Sequence, residues 1–175
     1  LSEQNALRRE RAARLAAGLA KIPHVAPLAP DADITEEVMY QYVFRYLGGH
    51  TPVHRDVFVR ALEEEGIPCE GRFYESVPRS DLFPATAKQF PALAYNRPAP
   101  VDYRSVPCPV AERLAYEETV WLPHFLLLGS EEDVDDILAA VEKVATHLEE
   151  LDGVGAGVKG VSRTGRSRLE RDRQW

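Results

Sequence analysis

The sequence predicts a mixed α and β domain, and three observations carry that prediction. Aromatic residues at 40, 42, 44 and 46 repeat with the two-residue period of a strand that buries one face. Apolar residues at 134, 137, 138, 141, 144, 145 and 148 repeat with the period of an amphipathic helix. Glycine and proline at 48, 49, 52 and 66 punctuate the chain between such segments, as strand-to-helix turns require.

In chain order, residues 2 to about 21 place Leu7, Ala12, Leu15, Ala16 and Leu19 on one face of a helix, with Arg8, Arg9, Arg11 and Arg14 interspersed on a solvated side. A loop with proline and aspartate follows. Residues 39–47 then form the strand that puts Tyr40, Tyr42, Phe44 and Tyr46 on a covered face. Thr51-Pro52 reads as a helix start with proline at the first helical position, and Val53, Val57, Phe58, Ala61 and Leu62 are its buried stripe. Gly66 ends that helix, and residues 67–73 return as a short strand.

The segment 76–109 is rich in proline and poor in periodicity, so it reads as a long loop, a place where function often resides. Pro109 opens a short helix through Val110, Ala111, Leu114 and Ala115, which leads to a strand at 119–122. Ser130 then caps the clearest helix, with Asp133 three residues on and Glu131 and Glu132 at its positive end. Beyond Gly153 the residues are mainly Gly, Ser and Arg without apolar periodicity, and 153–175 is expected to be a disordered tail.

Composition narrows the function classes. With 175 residues, 45% of them hydrophobic, the chain supports one core. A net charge of -7 in mixed-sign sequence argues against nucleic acid or an anionic membrane as partner. No apolar stretch approaches the roughly 20 residues of a membrane span, and Cys69 and Cys108 match neither a disulfide framework nor a paired metal motif. A cytoplasmic protein is expected. The first residue is Leu1 and the methionine, Met39, lies within a predicted strand, so the sequence reads as a piece of a longer protein.

The search for chemistry returns few candidates. His50 and His54 have the four-residue spacing of a zinc pair, but Pro52 between them puts His50 outside the helix, and no metal site is expected. Cys69 reads as a small buried hydrophobe, and Glu63, Glu64 and Glu65 as a solvated helix end. No phosphate loop, nucleophile elbow or dinucleotide fingerprint is present.

Four stretches, taken in order, resemble the C-terminal region of the DegT/StrS family of sugar aminotransferases: NALRRERAARLAAGLAKIPHV, YQYVFRY, RDVFVRALEEEGIPCEGRFYESVPRSDLF and PVAERLAYEETVWLPHFLLLGSEEDVDDILAAVEKV. The resemblance spans about residues 4–148, and its final stretch is the most specific. It implies a small, mainly antiparallel sheet backed by helices, as in the C-terminal small domain of fold-type-I pyridoxal-phosphate enzymes, over residues 1–152.

It further implies a parent protein that uses pyridoxal 5'-phosphate to move an amino group from an amino-acid donor to a keto-sugar or keto-cyclitol, acting as a homodimer. The lysine that holds the cofactor belongs to the large domain in this family. Lys21, Lys88, Lys143 and Lys159 stand in no such context, so the chain by itself is expected to contain no catalytic residue and to be inactive. Its contribution is substrate recognition, and Tyr74, Arg79 and His124 are the candidates to bind hydroxyl or phosphate groups. Each has a plainer reading: Tyr74 as an aromatic packed under the loop, Arg79 in an ion pair with Asp81, His124 as a local backbone cap. A stand-alone ligand-binding module and a catalytically inactive relative are the alternative functions.

Overall fold

A computed structural model describes residues 1–29, 31–80, 88–94 and 103–153. Helix α1 spans Ser2–Leu19 and buries Ala12, Leu15 and Leu19, as its apolar spacing dictates. Strand β1, Val25–Pro27, follows a turn in which His24 takes a positive φ of 61°. Strand β2, Gln41–Tyr46, runs antiparallel to β1 with Val25 opposite Tyr46, and antiparallel to β3, Thr119–Pro123, with Phe44 opposite Val120. The order β1-β2-β3 makes a small antiparallel sheet, the architecture expected.

The pleat sorts the side chains. Tyr42, Phe44 and Tyr46 of β2 and Val120 and Leu122 of β3 point to one face, where they are buried against the helices. The helices there are α1, α2 at Arg55–Glu64 and α4 at Glu131–Thr146, which contribute Leu15, Phe58, Leu62, Val134, Ile137 and Val141 to the same core. Each such side chain adds about 1.5–3 kcal/mol by leaving water. Tyr46 stacks on Phe58 at 4.7 Å, and its hydroxyl donates to the Val53 carbonyl at 2.9 Å, so its polar end costs nothing in burial. The capping box of α4 is complete: Asp133 N donates to Ser130 Oγ and Ser130 N to Asp133 Oδ2.

Several expectations need correction. Tyr40 precedes β2 and is 61% exposed, so it lies outside the covered face. Helix α2 begins at Arg55 and not at Pro52, because the His54 ring accepts from Asp56 N and caps it there. The strand expected at 67–73 is a single bridge, Glu70 to Trp121. Residues 25–27, expected within a loop, form β1 by pairing with β2. The short helix α3, Pro109–Arg113, gives way to a π turn at Leu114–Glu118 before β3. Residues 81–87, 95–102 and all but Gly153 of the expected tail at 153–175 lie outside the described residues, as does the side chain of His50.

Candidate functional site

The sheet face away from the helices carries the candidate site. Trp121 pairs with Val43 on that face. Its indole donates to Thr119 Oγ1 at 2.9 Å, and its ring stacks on Phe73 at 5.3 Å with an interplanar angle of 25°. Tyr74 meets both rings edge-on, at 4.6 Å from Phe73 and 5.8 Å from Trp121. Tyr40 adds a fourth ring, 6.3 Å from Phe73. Desolvation first, then its hydroxyl partner Tyr40, holds the Tyr74 phenol protonated above its ordinary range. Tyr40 and Tyr74 are 61% and 58% exposed, so this aromatic platform presents two phenols to solvent.

His124 directly follows β3, where Gln41 pairs with Pro123, and opens a 3-10 turn, His124–Leu128, that packs on α1. Arg8 Nη2 lies 3.4 Å from His124 Nδ1, and a guanidinium only donates. In that contact Nδ1 is the acceptor, and the imidazole is otherwise exposed. Arg79 is placed differently: its Nε donates to Glu112 Oε1 at 2.9 Å, at the start of α3, while Asp81, its expected partner, lies outside the described residues. The structure thus places Tyr74 in the aromatic cluster, His124 against α1 through Arg8, and Arg79 against α3.

Sequence reading missed Tyr40, Trp121 and Arg55 as parts of this arrangement. Arg55 is 1% exposed and uses all its N–H groups, on Asp56 Oδ1 and on the carbonyls of Gly71, Thr119, Ala115 and Tyr116. Burial lowers its pKa and Asp56 opposes that shift. The available signal was a charged residue set among the apolar positions Val53, Val57 and Phe58.

A cavity of about 740 Å³ opens at the other end of β2, lined among others by Tyr46, Gly48, His54, Arg113 and Glu118. None of Tyr74, Arg79 and His124 lines it. Several of its polar groups already serve the fold: Arg113 binds Glu118 at 2.8 Å, Arg55 bonds backbone carbonyls, and His54 caps α2. The aromatic end of the sheet is therefore the better candidate site. Among the described residues no group of three or more His, Cys, Asp or Glu is placed to hold a metal, and no helix is long and apolar enough to cross a membrane.

A lysine that binds a carbonyl cofactor needs a sheltered, deprotonated amine. Lys21 and Lys88 are exposed, and Lys143 Nζ bonds both carboxylate oxygens of Glu65. None of the three fits that role.

A small antiparallel sheet with helices on one face and an aromatic cluster on the other defines an α+β domain. The chain belongs to the DegT/DnrJ/EryC1/StrS aminotransferase family, whose pattern matches residues 1–142. It is 39% identical over 150 residues to a Streptomyces kanamyceticus protein named as an L-glutamine:3-amino-2,3-dideoxy-scyllo-inosose aminotransferase, an alignment that takes in 84% of this chain and 36% of that one. It is 33% identical over 154 residues to the L-glutamine:2-deoxy-scyllo-inosose aminotransferase of Streptomyces fradiae, covering 86% of this chain and 35% of the relative. The crystal structure of 3-amino-5-hydroxybenzoic acid synthase superposes with a TM-score of 0.63 at 26% identity, over 83% of this chain and 35% of that one. The chain thus spans little more than a third of the length of these relatives.

Proposed function

We propose that residues 1–152 are the C-terminal small domain of a longer aminotransferase that moves an amino group from L-glutamine to a keto-cyclitol, and that the domain supplies part of the ketone-binding surface. Family membership together with the two cyclitol aminotransferase relatives supports the reaction class. The platform of Trp121, Phe73, Tyr74 and Tyr40 is the observation that carries the role of this portion. A cyclitol has an apolar C–H face and a rim of hydroxyls, which suits exposed aromatic rings edged with phenols. Tyr74, Tyr40 and the imidazole of His124 supply the rim contacts, and Arg79 extends them toward α3.

In this reading pyridoxal 5'-phosphate is held by the portion of the protein that precedes these residues, and there supplies the electron sink that the transfer needs. In this reading the protein works in the cytoplasm, which suits its two unpaired cysteines, and as a homodimer, as the family resemblance implies.

The test is to express the full-length protein and follow L-glutamine and 2-deoxy-scyllo-inosose by mass spectrometry, with and without added pyridoxal phosphate. An aminocyclitol formed only with the cofactor supports the proposal. A folded, cofactor-loaded protein that aminates no keto-cyclitol and no keto-sugar refutes it, and leaves a binding module or an inactive relative.

A further inference from the structure

The geometry points to Arg55 as a positioning residue that sets the aromatic platform, an inference that rests on the platform being the ketone-binding surface. Arg55 does not touch the platform. Its guanidinium lines the cavity at the other end of β2 and bonds both of the segments that lead into the platform.

On one side Nη1 donates to the Gly71 carbonyl at 2.8 Å, and three residues later the chain presents Tyr74. On the other side Nη1 donates to the Thr119 carbonyl at 2.5 Å, and Nη2 to the Ala115 and Tyr116 carbonyls, each at 3.1 Å, in the π turn that feeds β3. Thr119 completes the link: its hydroxyl donates to Leu114 O at 2.8 Å and receives the Trp121 indole N–H at 2.9 Å. Between the two segments the direct backbone pairing is one bridge, Glu70 with Trp121, at 2.9 and 2.8 Å. Beyond that two-bond bridge the segment carrying Phe73 and Tyr74 is held to β3 by ring contacts with Trp121 and a 3.4 Å contact from the Thr119 hydroxyl to the Gly71 carbonyl, and the planar fork of Arg55 stiffens the join by fixing both backbones at once.

The fork is built into the surrounding backbone. A Cβ at position 71 would lie 2.7 Å from Arg55 Nε and 3.0 Å from its Cζ, so glycine there admits the guanidinium. A lysine at 55 keeps the charge but is a point donor on a flexible stem, and it cannot span carbonyls from both segments in one plane.

The experiment compares the full-length protein with its R55K, G71A and Y74A variants. The readouts are initial rates with 2-deoxy-scyllo-inosose and L-glutamine, and hydrogen exchange resolved over segments 70–74, 119–121 and 134–145. G71A displaces the fork without removing it, and so gives the answer if R55K does not fold. The expected result for R55K and G71A is faster exchange at 70–74 and 119–121, wild-type exchange at 134–145, and a ketone KM raised about 10-fold with the glutamine KM unchanged.

Wild-type exchange at 70–74 and 119–121, or exchange that rises equally at 134–145, overturns the inference, while a raised ketone KM in Y74A alone still upholds the platform. Local loosening in R55K with an unchanged ketone KM in both R55K and Y74A shows that the platform does not bind the ketone, and the inference falls with it.

Discussion

Arg55 and Gly71 are fitted to one another: the guanidinium donates to the Gly71 carbonyl at 2.8 Å, and a side chain at 71 would occupy the space of Arg55 Nε. The pair sits where a buried cation satisfies four carbonyls from two segments.

G71A therefore destabilises the protein by about 1–3 kcal/mol, the usual cost of forcing atoms into a filled site. Backbone carbonyls and a 1% exposed guanidinium have little room to give. Urea denaturation reads this as a lower midpoint with an unchanged slope. An unaltered midpoint would mean that the fork can move aside.

Cys69 predicts a decline in stability at alkaline pH. Its thiol is 4% exposed, and desolvation first, with Glu63 and Glu70 adding, raises its pKa from 9.0 to about 12. Between those values the unfolded chain has released a proton that the folded chain keeps, so stability falls as pH rises through this window and is unaffected by this group below it. Tyr42, also raised by burial, acts with the same sign above its ordinary range. Denaturation midpoints measured from pH 8 to pH 11 should fall less steeply in C69A than in wild type. Equal slopes would place the thiol in contact with water.

Removing the α4 cap by S130A costs about 1 kcal/mol, since Asp133 N loses its acceptor at the helix start. A thermal melt checks this, and S130T should restore most of the loss. If S130A melts with wild type, water replaces the hydroxyl without cost.

Much of this architecture was legible in the sequence, for local reasons. Strand β2 and helix α4 bury one face each, so their periods of two and 3.6 are written in their apolar residues. The reading slipped where tertiary contacts decide. Val25–Pro27 is three residues long and becomes a strand only by pairing with β2. Thr51-Pro52 has the signature of a helix start, yet the His54 ring caps the helix at Arg55, three residues beyond the proline. The segment 67–73 has strand-like residues, but the Gly71 carbonyl is taken by Arg55 and Thr119, which leaves one bridge.

The candidate site shows the same division. Tyr74 and His124 were reached through family resemblance. Tyr40 was assigned to the core because alternation extends one residue past the start of the strand. Trp121 and Arg55 acquire their roles from partners at 70–74 and 115–119, which no local pattern reveals. Arg79 bonds Glu112 across 33 positions, a pairing that spacing does not predict.

The central claim is that this domain binds the ketone through its aromatic platform, and steady-state kinetics of Y74A in the full-length protein tests it most directly. The account predicts a ketone KM raised about 10-fold, in line with loss of one well-placed contact of about 1.4 kcal/mol, with the glutamine KM unchanged. An unchanged ketone KM, or an equal rise for both substrates, would contradict it.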